Sequence, residues 1–165
     1  MMTMKLSTFL FLFLFFNSLI SEPRSNFNQT PLDNYVHLID ESYEYEVLKR
    51  VSGEGFTTYI VDLTSQSFLT KKDINRTIWK HWLIIVSPDQ INHTTGMLVI
   101  GGGDNDGSVP KEPDQVALEY AKATNSVVAT LGMVPNQPLT FAGESKPRWE
   151  DAIIAYSWDK YLTTG

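Results

Sequence analysis

From residue 56 to residue 100 the apolar positions alternate with polar ones or run together in short blocks. From residue 116 onward they recur mainly at helical spacing, and the two regimes predict different elements. Phe56 to Thr64 is β-branched and aromatic and predicts a strand, with Gly53 and Gly55 marking a turn before it. From Trp79 to Val86, Trp79, His81, Leu83 and Ile85 alternate against Lys80, Trp82, Ile84 and Val86. This predicts a second strand, apolar on both faces near its end and stopped by Pro88. Met97 to Ile100 runs straight into Gly101-Gly102-Gly103, as a buried strand would. Val116, Ala117, Tyr120, Ala121 and Thr124 then fit one face of a helix, with Pro113 in its first turn and Lys122 in its last. Ser126 to Leu131 reads as a further buried strand, ended by Gly132 and Pro135. A long helix is expected from about Pro147, apolar on nearly all sides through Trp149, Ile153, Ile154, Tyr156, Trp158 and Tyr161, so that it requires cover from more protein. Asp40 to Lys49 fits a short helix or a strand equally. Residues 22–34, with Pro23, Pro31 and several asparagines, read as an extended arm.

The order strand, strand, strand, helix, strand, helix predicts the α/β class. A helical crossover makes the last two strands parallel, and a short turn makes the early pair antiparallel. That combination is how a hydrolase-type sheet begins. Residues 35–165 are therefore expected to form the amino-terminal part of such a domain, incomplete as it stands.

The amino terminus departs from this pattern. Lys5 precedes an eleven-residue apolar run, Leu6 to Phe16, followed by Asn17 to Ser21 and Glu22-Pro23. A positive charge, a short hydrophobic stretch and a small-residue exit make residues 1–21 a secretory signal peptide; the run is shorter than the roughly 20 residues a bilayer span needs. Three Asn-x-Thr triplets, at Asn28, Asn75 and Asn92, agree with export and N-glycosylation. The expected location is extracellular.

Composition narrows the chemistry. The 165 residues are 42% hydrophobic and 19% charged, which fits a globular chain rather than a disordered one. The net charge of −6 offers no basic face for nucleic acid, and no Lys/Arg cluster suggests an anionic membrane. No cysteine is present, which removes disulfides, thiolate metal sites and cysteine nucleophiles.

The glycine run carries the most chemical information. Gly101, Gly102 and Gly103 at the carboxyl end of a buried strand, followed by Asp104, form a loop whose N–H groups can approach an oxyanion or phosphate. In α/β-hydrolases the loop here supplies one oxyanion-hole donor; a plain connecting turn explains the glycines equally well. A dinucleotide fingerprint starting at Gly101 fails because Asp106 stands where its last glycine belongs. A calcium loop with Gly107 sixth fails because Gly102 would be first and Pro113 twelfth. Gly143-Glu144-Ser145 lacks the following x-Gly of a serine elbow and reads as the start of the last helix. The three histidines, His37, His81 and His93, show no zinc spacing, and none follows residue 93, where a hydrolase order would place the base. His81, between two tryptophans, reads as a packed imidazole. No catalytic set, metal site or cofactor is expected.

These residues also carry a resemblance. Trp79-x-His81-Trp82-Leu83, Gly96 to Asn105, Val134-Pro135-Asn136-Gln137-Pro138-Leu139 and Arg148-Trp149-Glu150-Asp151-Ala152-Ile153-Ile154-Ala155-Tyr156 resemble the PhoPQ-activated pathogenicity-related proteins over about residues 33–165. The family is similar to α/β-hydrolases of several hundred residues, whose serine elbow would lie beyond Gly165. Only Gly101 to Asp104 can be mapped from its site. One eukaryotic branch resembles a secreted autocrine repressor of cell proliferation. The resemblance implies a secreted signalling protein that binds a cell-surface receptor or a secreted partner, without catalysis of its own and without stable membrane insertion. Two alternatives stand beside it: the amino-terminal fragment of a serine esterase or peptidase, and a truncated paralogue without function.

Overall fold

A computed structural model describes residues 29–164. The signal peptide expected at residues 1–21, most of the arm and Asn28 lie outside the described residues. The described residues form two compact units, one up to Leu38 and the other from Ile39 onward.

In the first unit, Pro31–Val36 forms helix α1, not the extended chain expected up to residue 34. Thr30 Oγ1 accepts from the Asp33 N–H at 3.2 Å, and the Asp33 carboxylate accepts from the Thr30 N–H at 2.8 Å. Pro31 adds a φ already suited to a first helical turn, so the proline that suggested an arm starts a helix instead.

The second unit is built on a five-stranded mixed sheet in the order β1-β2-β3-β5-β4. Its strands are β1 (Glu44–Gly53), β2 (Phe56–Ser67), β3 (Ile78–Pro88), β4 (Met97–Ile100) and β5 (Val128–Leu131). The pairs β1–β2, β2–β3 and β3–β5 are antiparallel, and β4–β5 is parallel. The expected antiparallel start and parallel strand–helix–strand unit are both present, and the sheet as a whole is mostly antiparallel. A two-residue turn, Glu54-Gly55, joins β1 to β2. Gly55 sits at φ +80°, a conformation in which a side chain is strained. Residue 48 explains why β1 was ambiguous: the pairing slips between Val47 and Lys49, and this bulge breaks the alternation that marks a strand.

Helix α2 (Gln115–Thr124) connects β4 to β5. Asp114 caps it by accepting from the Ala117 N–H at 2.9 Å, which places Pro113 before the cap rather than in the first turn. Ala117 and Ala121 bury against Val86 and Val128, so α2 covers one face of the sheet. Helix α3 (Glu150–Thr164) starts three residues later than Pro147, because Arg148 first exchanges two backbone bonds with Leu139, at 2.7 and 3.0 Å. Ile153 is the buried residue of α3. It packs with Ile74, Leu139 and Phe141, and Tyr156 stacks on Phe141 at 3.9 Å between ring centroids. Ile154, Trp158 and Leu162 lie exposed, as expected of a helix written for more cover.

Candidate functional site

The loop after β4 is stitched to the loop after β5. Gly101 N–H donates to the Leu131 carbonyl at 2.8 Å, while the carbonyls of Gly101 and Gly102 accept from the N–H groups of Val134 (3.1 Å) and Met133 (2.9 Å). Gly103, at φ +127°, makes the turn that only glycine takes without strain; a β-carbon there would also sit 3.6 Å from Met133. Asn105 then donates its N–H to the Gln137 carbonyl at 2.5 Å and its side-chain amide to the Pro138 carbonyl at 3.0 Å. Gly102, Gly103 and Asp104 remain exposed at the carboxyl ends of two adjacent parallel strands.

The surroundings of these exposed glycines are acidic. A β-carbon at Gly102 would lie 3.9 Å from the Glu150 carboxylate, and Asp104 and Asp106 are part of the loop itself. Arg76 pairs with Asp106 at 3.1 Å across an exposed contact, which is worth little in water. Backbone donors are thus on offer, in a field that opposes an incoming anion. Among the described residues, no cluster of His, Asp and Glu could hold a metal ion.

Beneath the loop lies a polar clasp. Asn136 is 1% exposed. Its Nδ2 donates to the carbonyls of Lys80 (2.8 Å) and Met133 (2.9 Å), and its Oδ1 accepts from the Lys80 N–H at 2.8 Å. Gln137, also buried, holds the start of α3: its Oε1 accepts from the Glu150 N–H at 2.8 Å. The peptides before Pro135 and Pro138 are cis. Pro-Asn-Gln-Pro therefore ties β3, the glycine loop and α3 together. In the sequence this string entered only through the family resemblance, which did not reveal this role.

His81 is 3% exposed, as a packed imidazole should be. Nδ1 lies 3.0 Å from the Gly132 carbonyl and Nε2 2.8 Å from Ser65 Oγ. A carbonyl can only accept, so Nδ1 carries the proton and Ser65 donates to Nε2. Burial is the main influence and holds the His81 pKa below its ordinary value, so the ring is neutral. Nothing in the sequence marked this pair, because Ser65 stands where the β2–β3 register slips, outside the regular alternation. Ser145 lies exposed, and the neighbouring Glu144 is held by Arg148 at 2.6 and 2.8 Å. His93 and Asn92 lie exposed before β4. Asn75 is exposed too, with its Oδ1 accepting from the Thr140 N–H.

The model of the family described as PhoPQ-activated pathogenicity-related protein matches residues 32–165. "Autocrine proliferation repressor protein A" of Dictyostelium discoideum is 37% identical over 134 residues, which cover 81% of this chain and 27% of that relative. The chain thus spans about a quarter of the relative's length. No solved structure matches. Among the described residues, no helix is long and apolar enough to cross a membrane.

Proposed function

The chain belongs to the PhoPQ-activated pathogenicity-related family, and we propose that it is a secreted signal of the proliferation-repressor kind. In this reading it acts through its surface on a cell-surface receptor or a secreted partner and carries out no catalysis of its own. The observation that carries this is the 37% identity to a protein named as an autocrine proliferation repressor. Two features of the site support the non-catalytic part. The exposed glycines sit among Asp104, Asp106 and Glu150, where a developing oxyanion would be repelled. His81 is buried and Ser65 half-buried, and a backbone carbonyl occupies the place where a triad has its carboxylate. Purified protein added to cells of its own source is expected to slow their accumulation in a dose-dependent way. Unchanged growth at saturating dose overturns the reading.

A second reading is favoured by the parallel β4–α2–β5 unit with the glycine loop at the carboxyl end of β4. In this reading the chain is the amino-terminal part of a hydrolase-type domain, and Gly101 to Asp104 are its oxyanion loop. In such sheets, ligands bind outside the carboxyl ends of parallel strands. A serine-directed covalent probe separates the two readings. Because the serine elbow of such a domain would lie beyond Gly165, the probe is applied to the protein as isolated from its source: labelling of a serine past residue 165, with ester turnover above background, supports the hydrolase, and no labelling supports the signal.

A further inference from the structure

Two of the Asn-x-Thr triplets fall on described residues: Asn75-Arg76-Thr77 and Asn92-His93-Thr94. The fold roots them at opposite ends of one strand, Asn75 just before β3 begins and Asn92 just after it ends. β3 runs antiparallel to β5, and β5 runs parallel to β4, so the start of β3 shares an end of the sheet with the glycine loop. The pair formed by Arg76 and Asp106 marks that proximity. Both asparagines are exposed, as an attachment site must be.

Asn75 has a property that the triplet alone does not reveal. Residues 73–75 pair with residues 140–142: Ile74 bridges Phe141, the Ala142 N–H donates to the Asp73 carbonyl at 2.8 Å, and the Asn75 N–H donates to the Thr140 carbonyl at 3.0 Å. The Thr140 N–H then donates to Asn75 Oδ1 at 2.9 Å. A backbone N–H can only donate, so the amide oxygen is the end that faces Thr140 and Nδ2 is the other end. An N-linked sugar is joined to Nδ2 and leaves the amide its oxygen, so the glycan and the Thr140 N–H make use of different atoms of one group. At Asn92 the backbone N–H donates to the Asn125 carbonyl at 2.9 Å, and the exposed side chain takes no part in that bond.

We propose that Asn75 and Asn92 both carry N-linked glycans in the folded protein, and that Asn75 serves twice. Its oxygen closes the pairing of residues 73–75 with 140–142, and its nitrogen holds a glycan at the glycine-loop end of the sheet. The glycan comes from an oligosaccharide borne on a lipid pyrophosphate. Nδ2 bonds to the anomeric carbon of the first N-acetylglucosamine and gives up a proton, and the lipid pyrophosphate departs. The transfer takes place in the secretory lumen, so the proposal rests on the export part of the function proposed above.

The test expresses the full chain in cultured eukaryotic cells and treats the protein from medium and from cell fractions with a peptide-N-glycosidase in ¹⁸O-water. Each glycosylated asparagine then becomes a labelled aspartate, read by mass spectrometry. Label at residues 75 and 92 is expected. Exported protein without label at either position overturns the proposal and leaves export standing; unlabelled protein confined to the cytosol overturns both. The double use of Asn75 is tested by three variants that all lack its glycan. Thr77→Ala keeps the amide, and Asn75→Asp keeps an oxygen for the Thr140 N–H, so these two should melt within about 2 °C of each other. Asn75→Ala has no acceptor and should melt about 3–5 °C lower, the shift expected for one lost hydrogen bond in a chain of this size. An alanine variant that melts with the other two overturns the double use.

Discussion

Asn136 offers the sharpest stability test, because three bonds converge on one buried amide. Asn136→Ala removes them and leaves the Lys80 N–H, the Lys80 carbonyl and the Met133 carbonyl short of a partner. Each typical bond contributes about 1 kcal/mol net, and a buried group left unpaired costs about 1–3 kcal/mol. Lys80 lies on a partly open strand, where water can reach its backbone groups, so the low end applies to two of the three. The expected loss is about 3 kcal/mol, a large part of the roughly 5–15 kcal/mol that holds a domain of this size. In urea, with m of about 2 kcal/mol/M, the midpoint followed by tryptophan fluorescence should fall by about 1.5 M with m unchanged. Asn136→Asp sharpens the result. Its carboxylate still accepts from the Lys80 N–H but confronts two carbonyls with negative charge, so at pH 7 it should be less stable than the alanine variant. Protonation turns one oxygen into a donor, so the gap between the two variants should narrow toward pH 5. An alanine midpoint within 0.5 M of wild type (about 1 kcal/mol at that m), or an aspartate variant as stable as wild type at pH 7, refutes the clasp.

Other perturbations probe separate parts of the molecule. Burial depresses the folded pKa of His81, so below the unfolded value of about 6.5 the unfolded chain binds more protons and folding loses stability. Melting temperature should therefore fall between pH 7 and pH 5, and the slope should flatten in His81→Leu; an equal slope in both proteins contradicts it. Gly103→Ala combines φ +127° with a close methionine and should cost about 1–3 kcal/mol by urea titration, against less than about 0.5 kcal/mol for alanine at the open Gly102 position. Ile153→Ala, in the α3 core cluster, should cost about 2–4 kcal/mol. Trp158→Ser, at a position 70% exposed, should leave the melt within a degree or two and reduce light scattering on concentration.

The parts of this fold that could be read from sequence are those with an uninterrupted period. β2, β3, β4, α2 and β5 follow runs of residues whose alternation or helical spacing survives intact, and their observed limits agree to within a few positions. The ambiguous or shifted parts have local causes. A bulge at Leu48 puts two apolar residues side by side in β1, and the amphipathic test cannot choose between helix and strand there. Pro147 suggested a helix start, but the backbone of Arg148 is already committed to Leu139, a partner nine residues away in sequence. Pro31 looked like arm composition, yet Thr30 and Asp33 turn it into the first residue of a helix. In each case a non-periodic hydrogen bond decided the outcome.

The site divides along the same line. Gly101 to Gly103 stood out because a triple glycine closes an apolar run, a pattern that a ligand loop and a connecting turn share equally, and Gly103 does take a conformation that glycine alone favours. What the sequence could not disclose is the company the loop keeps. Glu150 arrives from 48 residues downstream, held by Gln137 at its N–H, and it brings a carboxylate to a place where an oxyanion would need a donor. The same arrangement makes a sharp demand on the hydrolase reading. If Gly102 is to stabilise an anion, Glu150→Gln should strengthen binding of a boronate transition-state mimic, because it removes a negative charge beside the donor without removing the Gln137 bond to the backbone. If binding of the mimic stays at background in both forms, the acidic loop is a structural connector. Recognition would then rest on the apolar surfaces of the sheet and α3.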